Sequence, residues 1–108
     1  LLGRLFAKAA AAAFARDLGM LLAGGTTMSR AFDAALAPVG NRHLNARLAA
    51  AKAAIRQGKT LKAALGTVPL MPDLLIEMAG VGDETGKHAD ALTRAAGILD
   101  AEVRQSLD

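Results

Sequence analysis

The sequence predicts an all-α fold in which six helices, joined by short loops, form one bundle. The 108 residues are 53% hydrophobic but only 3% aromatic, and alanine and leucine are the two commonest residues. Alanine and leucine favour helices, whereas strands are enriched in β-branched and aromatic residues. Glycine and proline interrupt the apolar segments repeatedly, which divides the chain into helices of ordinary length.

The first predicted helix covers Leu5–Ala23, and Gly25 ends it because glycine accepts the left-handed conformation of a helix C-terminus. Thr27 or Ser29 then caps a second helix that runs to about Ala37. Apolar residues at helical spacing indicate the buried faces of both helices. These residues are Phe14, Leu18, Leu21, Leu22, Met28, Ala31, Phe32, Ala35 and Leu36.

After a proline and glycine break, Asn41 is a suitable N-cap for a third helix that extends to about Arg56. Gly58 ends this helix, and Thr60 caps a short fourth helix over Leu61–Leu65. The apolar face of the third helix is indicated by residues at helical spacing. They are Leu44, Leu48, Ala51 and Ile55.

The fifth predicted helix covers Pro72–Val81, with the proline in the first turn, where proline is preferred. Gly82–Gly86 separates it from a sixth helix that runs to the end of the chain. Asp83 is the expected N-cap of that helix, and Glu84 suits the positive end of its dipole. The apolar faces are formed by Leu74, Leu75 and Met78 in helix five, and by Leu92, Ala95, Ala96, Leu99 and Val103 in helix six.

Groups that could carry catalysis are few. The chain has no cysteine, and its two histidines, His43 and His88, are too far apart in sequence to form a local metal-binding motif. His88 could surround a metal ion together with Asp83, Glu84 and Asp90, but we favour the interpretation that these acids cap and solvate helix six. The sequence therefore predicts no enzyme, no metal site and no cofactor.

Charge is divided unevenly along the chain. Residues 1–62 carry ten Lys and Arg against two acids, a net charge of +8, whereas residues 63–108 carry three against eight, a net charge of −5. We expect the two halves to neutralise each other across one folded domain. The basic residues of helices three and four are interpreted first as a solvated face, then as a surface near an anionic membrane, and last as a nucleic-acid site, because aromatic residues for base stacking are missing.

Four segments, in order, carry recognisable patterns. Phe14–Phe32 contains an aromatic-x-Arg-x-Leu run followed by Leu-Leu, a glycine and an apolar-x-x-Ala turn, and Gly58–Leu65 fits Gly-x-Ser/Thr-Leu-x-x-Ala-Leu. Met71–Met78 fits apolar-Pro-x-Leu-x-x-x-Met, and Val81–Lys87 contains Gly-acid-x-Ser/Thr-Gly. Together these segments resemble the type II secretion system F domain family.

Four positions depart from the usual pattern of that family. Asp83 stands in place of Glu, Thr85 in place of Ser, His88 in place of Leu and Met71 in place of Phe. The departures leave the glycine positions and the helical bundle untouched. They put in doubt a contact that the longer Glu would make and the packing that the Leu would provide.

The resemblance implies that residues 1–108 are a single cytoplasmic domain of a larger bacterial inner-membrane platform protein, the second of two copies, with the membrane spans outside this chain. Such a domain would be a non-catalytic scaffold in type II protein secretion or type IV pilus assembly. It would couple a cytoplasmic assembly ATPase to growth of the pseudopilus or pilus. Its partners would be that ATPase, other inner-membrane platform components and further copies of itself. The alternative is a helical module that binds nucleic acid.

Two sets of residues are singled out on this basis. The first set holds the structural positions of the family pattern: Gly25, Gly58, Pro72, Gly82, Glu84 and Gly86. The second set holds candidate partner-binding residues, an acidic group of Asp83, Glu84 and Asp90 and a basic group of Arg47, Lys52 and Arg56. For both groups, ordinary solvated charge is the competing interpretation.

Overall fold

The computed structural model describes residues 2–36 and 42–107, apart from the side chains of residues 2 and 42–44. Six α-helices and no strand make up this part of the chain, which confirms the predicted all-α fold. The helices are α1 (Leu2–Ala23), α2 (Met28–Leu36), α3 (Arg42–Arg56), α4 (Leu61–Leu65), α5 (Asp73–Thr85) and α6 (His88–Leu107).

The helices form a closed ring of neighbours. Each one packs against the next in the chain, and α6 returns to α1 through the most extensive helix–helix contact of the bundle. The two helices run antiparallel, since Lys8 near the start of α1 forms an ion pair with Glu102 near the end of α6. They approach closely at Gly19, where an added Cβ would lie 2.8 Å from the Thr93 hydroxyl oxygen.

The core is entirely apolar among the described residues and centres on one aromatic pair. The rings of Phe14 and Phe32 meet edge to face, with their centroids 5.1 Å apart, an arrangement that aromatic quadrupoles favour. This contact joins α1 to α2. The other large side chains that are fully buried are Leu18, Leu48, Leu65, Leu75, Leu92 and Leu99.

Helices α1 and α3 end in the same hydrogen-bonded cap. The N–H of Gly25 donates to the carbonyl of Leu22, and the N–H of Thr26 donates to that of Leu21, which is the Schellman pattern. The turn after α3 repeats it around Gly58. Both glycines have φ near +90°, a conformation that side chains with a Cβ disfavour.

Replacing Gly25 by alanine will lower the free energy of unfolding by about 1 kcal/mol, because the left-handed conformation costs about that much for a residue with a Cβ. The adjacent Gly24 is the matched control. Its added Cβ would meet nothing closer than 3.5 Å, so Gly24→Ala should change stability by less than about 0.5 kcal/mol. Urea denaturation followed by circular dichroism measures both; equal effects of the two substitutions would contradict the prediction.

The boundary between α5 and α6 differs from the prediction. Helix α5 continues through Gly82 to Thr85, so Asp83 is not the N-cap of α6 but lies in the last turn of α5. Glu84 likewise lies at the negative end of the α5 dipole rather than at the positive end of α6. The glycine that does end α5 is Gly86, with φ of 75°.

Smaller differences concern the other helix ends. Helix α1 begins by Leu2 rather than at Leu5, and Pro72 occupies the N-cap position of α5 rather than its first turn. The predicted N-cap Asn41 and the predicted end of helix two at Ala37 lie outside the described residues.

The uneven charges meet across the bundle. Among the residues that the structure describes, three ion pairs join the basic first half of the chain to the acidic second half. Lys8 pairs with Glu102 at 3.4 Å, Arg16 with Asp100 at 2.7 Å and Lys62 with Glu77 at 3.6 Å. Part of the charge division therefore serves pairing within the domain, as expected.

Candidate functional site

The residues of the Gly82–Gly86 segment lie where three helix ends meet. The N-terminus of α4, the C-terminus of α5 and the N-terminus of α6 converge on one carboxylate, that of Asp83. We call this region the helix junction. It comprises Thr60, Leu61, Lys62, Gly82, Asp83, Thr85, Gly86 and His88.

Asp83 accepts hydrogen bonds from two other helices. The backbone N–H of Leu61 donates to its Oδ1 at 3.1 Å, and that of Lys62 donates to its Oδ2 at 2.9 Å. On the opposite side, Nε2 of His88 lies 2.8 Å from the same Oδ1. One side chain on α5 therefore holds the first turn of α4 and the first residue of α6.

The N-terminus of α4 is capped by two residues from different parts of the chain. The hydroxyl of Thr60 accepts from the N–H of Ala63 at 3.1 Å, and Asp83 accepts from the two preceding N–H groups. All three N–H groups of the first turn are thus satisfied by side chains. A helix of five residues is too short to be stable alone, so its position depends on such tertiary contacts.

Gly82 allows α6 to begin directly against α5. A Cβ at this position would lie 2.7 Å from Cδ2 and 2.9 Å from Cα of His88, distances that real side chains do not show. Gly86 then turns the chain, and its N–H donates to the carbonyl of Gly82 at 2.8 Å. The hydroxyl of Thr85 stabilises this turn by accepting from the N–H of Lys87 at 3.1 Å and donating to the carbonyl of Val81.

Hydrogen bonding shifts the ionisation of Asp83. Burial by itself would raise the pKa of this carboxyl, but the hydrogen bonds from His88, Lys62 and Leu61 together outweigh burial. The pKa of Asp83 therefore lies below its ordinary value. The folded junction thus favours the ionised carboxylate, the form that accepts all three bonds.

This lowered pKa predicts a loss of stability in acid. Because the folded state holds the proton less tightly than the unfolded state, the contribution of Asp83 is complete above about pH 5 and declines as the pH falls through about 4 and below. The free energy of unfolding should therefore fall less steeply between pH 6 and pH 3 in Asp83→Asn than in the wild type. Urea titrations across this range measure the slopes, and equal slopes for Asp83→Asn and the wild type would contradict the prediction.

The junction is suited to joining helices rather than to catalysis. Its carboxylate is engaged by three donors, and its histidine lies against that carboxylate. Of the other acids considered for a metal site, Glu84 and Asp90 are exposed. Within the described residues, no three His, Asp or Glu side chains are grouped so that they could hold a metal ion.

The structure separates the members of the predicted partner-binding groups. In the acidic group, Asp83 is turned inward at the junction while Glu84 and Asp90 face solvent. In the basic group, Lys52 is half-buried and pairs with Asp33 of α2.

The two arginines of the basic group are also apart. Arg47 and Arg56 are nine residues apart in α3, which at about 100° per residue puts them on opposite sides of the helix. The basic group therefore does not form one continuous surface, and its role in binding stays a prediction.

Sequence reasoning missed that Asp83 caps α4. The two elements are separated by more than twenty positions, and no local pattern connects an aspartate with a helix start that far away. No signal in the sequence identifies this contact. The contact of Asp83 with His88, five positions later, is the part of the junction that is local in sequence.

The described residues form an all-α domain whose polar network joins helix ends, which is the arrangement of a structural domain. Residues 14–108 match the family model for type II secretion system (T2SS), protein F, and the chain belongs to this family. Members of the family are non-catalytic platform proteins, which confirms the prediction that the chain is not an enzyme.

Curated relatives come from pilus assembly and from secretion. The chain is 28% identical over 106 residues to the type IV pilus assembly protein PilC of Myxococcus xanthus, covering 98% of this chain and 25% of the relative. It is 32% identical to the type IV pilus assembly protein TapC of Aeromonas hydrophila, covering 98% and 26%, and 30% identical to the type II secretion system protein F of Xanthomonas campestris pv. campestris, covering 99% and 26%. The chain therefore spans about a quarter of the length of the curated relatives it matches.

Proposed function

We propose that this chain is a cytoplasmic scaffold domain of an inner-membrane platform protein in a type II secretion or type IV pilus assembly system. The observation that carries the proposal is the similarity of nearly the whole chain to both the PilC and the secretion protein F relatives. The proposed role is to couple a cytoplasmic assembly ATPase to growth of the pilus or pseudopilus. The packing of the domain is compatible with that role.

Coupling requires a domain that moves as one body. Asp83 ties α4 and α6 to α5, and ion pairs such as that of Arg16 with Asp100 fasten α1 to α6. The ring of helices is closed, and the close-packed interior of a protein has a low compressibility. A displacement applied at one face would therefore be transmitted to the others rather than absorbed in the core.

We place the membrane-spanning helices of the parent protein outside these residues. No helix in the described ranges is both long enough and apolar enough to cross a bilayer. The relatives are about four times as long as the matched segment, which leaves room for such helices. In this proposal the domain faces the cytoplasm, where the ATPase is found.

Co-purification tests the proposal. The tagged chain, expressed in a bacterium that carries the cognate secretion or pilus genes, should retrieve the assembly ATPase or another platform component after mild crosslinking. If the acidic group binds the partner, reversing its exposed charges with Glu84→Lys and Asp90→Lys should reduce recovery. If the basic group binds it, Arg47→Glu with Arg56→Glu should reduce recovery instead. Recovery of no envelope or assembly component, together with a DNA mobility shift at physiological salt, would overturn the proposal in favour of nucleic-acid binding.

A further inference from the structure

Helices α5 and α6 leave an open groove on the surface of the bundle. The groove has a volume of about 280 Å³ and lies beside the helix junction, whose Thr85 contributes to its lining. Its floor is apolar and its rim is charged. The residues that line it are Met78, Val81, Thr85, Lys87, Asp90, Ala91 and Arg94.

Each of the two helices presents a regular stripe to this groove. On α5 the stripe is formed by residues 78, 81 and 85, and on α6 residues 91 and 94 line the groove, after residue 87 in the loop before the helix. Residue 98 continues the α6 stripe one turn beyond the groove. Steps of three and four residues keep a stripe on one side of a helix. Val81 is 44% exposed and Ile98, one turn beyond Arg94, is 43% exposed, so apolar area is available along the groove.

Arg94 and Ile98 are exposed, whereas Ala91 is buried and borders the core face of α6. That face is formed by Leu92, Ala95 and Leu99, which at about 100° per residue lie roughly a third of a turn around the helix from the two exposed positions. Two adjacent helices with exposed stripes at this spacing provide the ridges and groove into which a third helix packs. An amphipathic helix that lies in an apolar groove is a common mode of recognition between proteins.

The charges at the rim indicate what kind of helix fits. Among the described basic residues, Lys8, Arg16, Lys52 and Lys62 pair with an acid, whereas others such as Arg30, Arg56 and Lys59 do not. Lys87 and Arg94 form no ion pair with any residue that the structure describes. With Asp90 as the one acid lining the groove, its rim carries two positive charges against one negative charge.

We propose that the α5–α6 groove is a docking site for an acidic amphipathic helix of a partner protein. Apolar side chains of that helix would lie on Met78, Val81 and Ile98, and its carboxylates would face Lys87 and Arg94. The inference deepens the proposed function and rests on it, because it gives the assembly domain a partner surface and the chemistry of the partner.

A pair of designed peptides tests the charge requirement. The first is a fluorescein-labelled helix of about three heptads with leucine at the a and d positions and glutamate at the e and g positions. The second has lysine in place of every glutamate. Fluorescence anisotropy with the 108-residue chain should show binding of the glutamate peptide at least tenfold tighter than that of the lysine peptide, with a difference that shrinks as salt is added.

Substitutions in the chain test the location. Arg94→Glu and Val81→Asp should each weaken binding of the glutamate peptide about tenfold or more. Arg104→Glu is the matched control, since it makes the same change in net charge on the same helix but lies outside the groove and should leave binding unchanged. Far-UV circular dichroism establishes that each variant is folded.

Several outcomes would overturn the proposal. Equal binding of the two peptides is one such outcome, and peptide binding that Arg94→Glu leaves unchanged is another. A third is a dimer of the chain in sedimentation velocity that Val81→Asp dissociates, because this result would assign the groove to a second copy. Failure of the proposed function is a different result. If the chain co-purifies with assembly components but does not bind the glutamate peptide, the groove proposal alone is wrong; if the peptide binds at the groove but no assembly component is recovered, the proposed function is wrong.

Discussion

Gly82→Ala is expected to lower the free energy of unfolding by about 2 kcal/mol. Alanine is intrinsically the better helix residue, by about 1 kcal/mol, so the loss must come from tertiary contacts. The added Cβ would lie 2.9 Å from Cα of His88, a backbone atom that moves only if the start of α6 moves. Overpacking of this kind costs about 1 to 3 kcal/mol and here also pulls His88 away from Asp83.

Gly97→Ala is the matched control for this substitution. Gly97 also lies inside a helix, but an added Cβ there would meet nothing within 4 Å. The substitution should therefore stabilise the domain by about 0.5 to 1 kcal/mol, the ordinary gain of alanine over glycine. Because the chain has neither tryptophan nor tyrosine, helix ellipticity in urea is the appropriate probe. A stabilising Gly82→Ala would show that α5 and α6 do not meet as described.

Local sequence signals predicted most of the helices because the signals act locally. Gly25 and Gly58 end helices through hydrogen bonds to carbonyls within the preceding turn, and Thr60 caps α4 through the N–H three residues later. In the same way, the spacing of Phe14 and Leu18 on one helical face was sufficient to predict that both are buried. The residues in such contacts are only a few positions apart, so a single sequence is sufficient to predict them.

The junction could not be predicted in the same way, because its contacts join distant parts of the chain. Gly82 resembles a helix-ending glycine in the sequence, yet it serves the approach of His88 and the helix continues past it. Asp83 resembles a local N-cap, and it does cap a helix, but that helix is α4. The residue type was informative about the chemistry and uninformative about the partner.

The basic residues of α3 are a second case in which the sequence alone did not predict the folded arrangement. Their number suggested a surface, but the angle between Arg47 and Arg56 around the helix and the ion pair of Lys52 with Asp33 are properties of the folded arrangement. The first of these could have been calculated from the spacing alone, since nine residues correspond to two and a half turns. The ion pair required the position of α2.

The junction gives a physical reason for the pattern Gly82-Asp-x-Thr-Gly86. The first glycine provides space, the acid provides a remote cap, the hydroxyl residue stabilises the turn and the last glycine ends the helix. The remaining residue of the segment is Glu84, which was predicted to be a structural position; its side chain is exposed and forms no ion pair within the described residues. Glu84 is therefore the position of the pattern for which the structure shows no structural role.

Asp83→Ala should lower the free energy of unfolding by about 3 kcal/mol. Its side chain is only 15% exposed, and removing it leaves the N–H groups of Leu61 and Lys62 without their acceptors. The N–H of Leu61 is part-buried, and an unsatisfied buried donor costs about 1 to 3 kcal/mol, whereas the exposed N–H of Lys62 can bond to water. Loss of a helix cap costs about 1 kcal/mol. Asp83→Asn should have a smaller effect, because its amide oxygen can replace one acceptor while its NH₂ group opposes a second donor.

Hydrogen exchange distinguishes loss of the cap from general destabilisation. In Asp83→Ala, the amides of Leu61 and Lys62 should lose protection before global unfolding, whereas the amide of Ala63, bonded to Thr60, should lose less. Glu84→Ala is the adjacent control and should stay within about 0.5 kcal/mol of the wild type, since it removes an exposed acid from the negative end of the α5 dipole. If Asp83→Ala were as mild as Glu84→Ala, α4 would be held by its apolar contacts alone and the junction would not tie the three helices together.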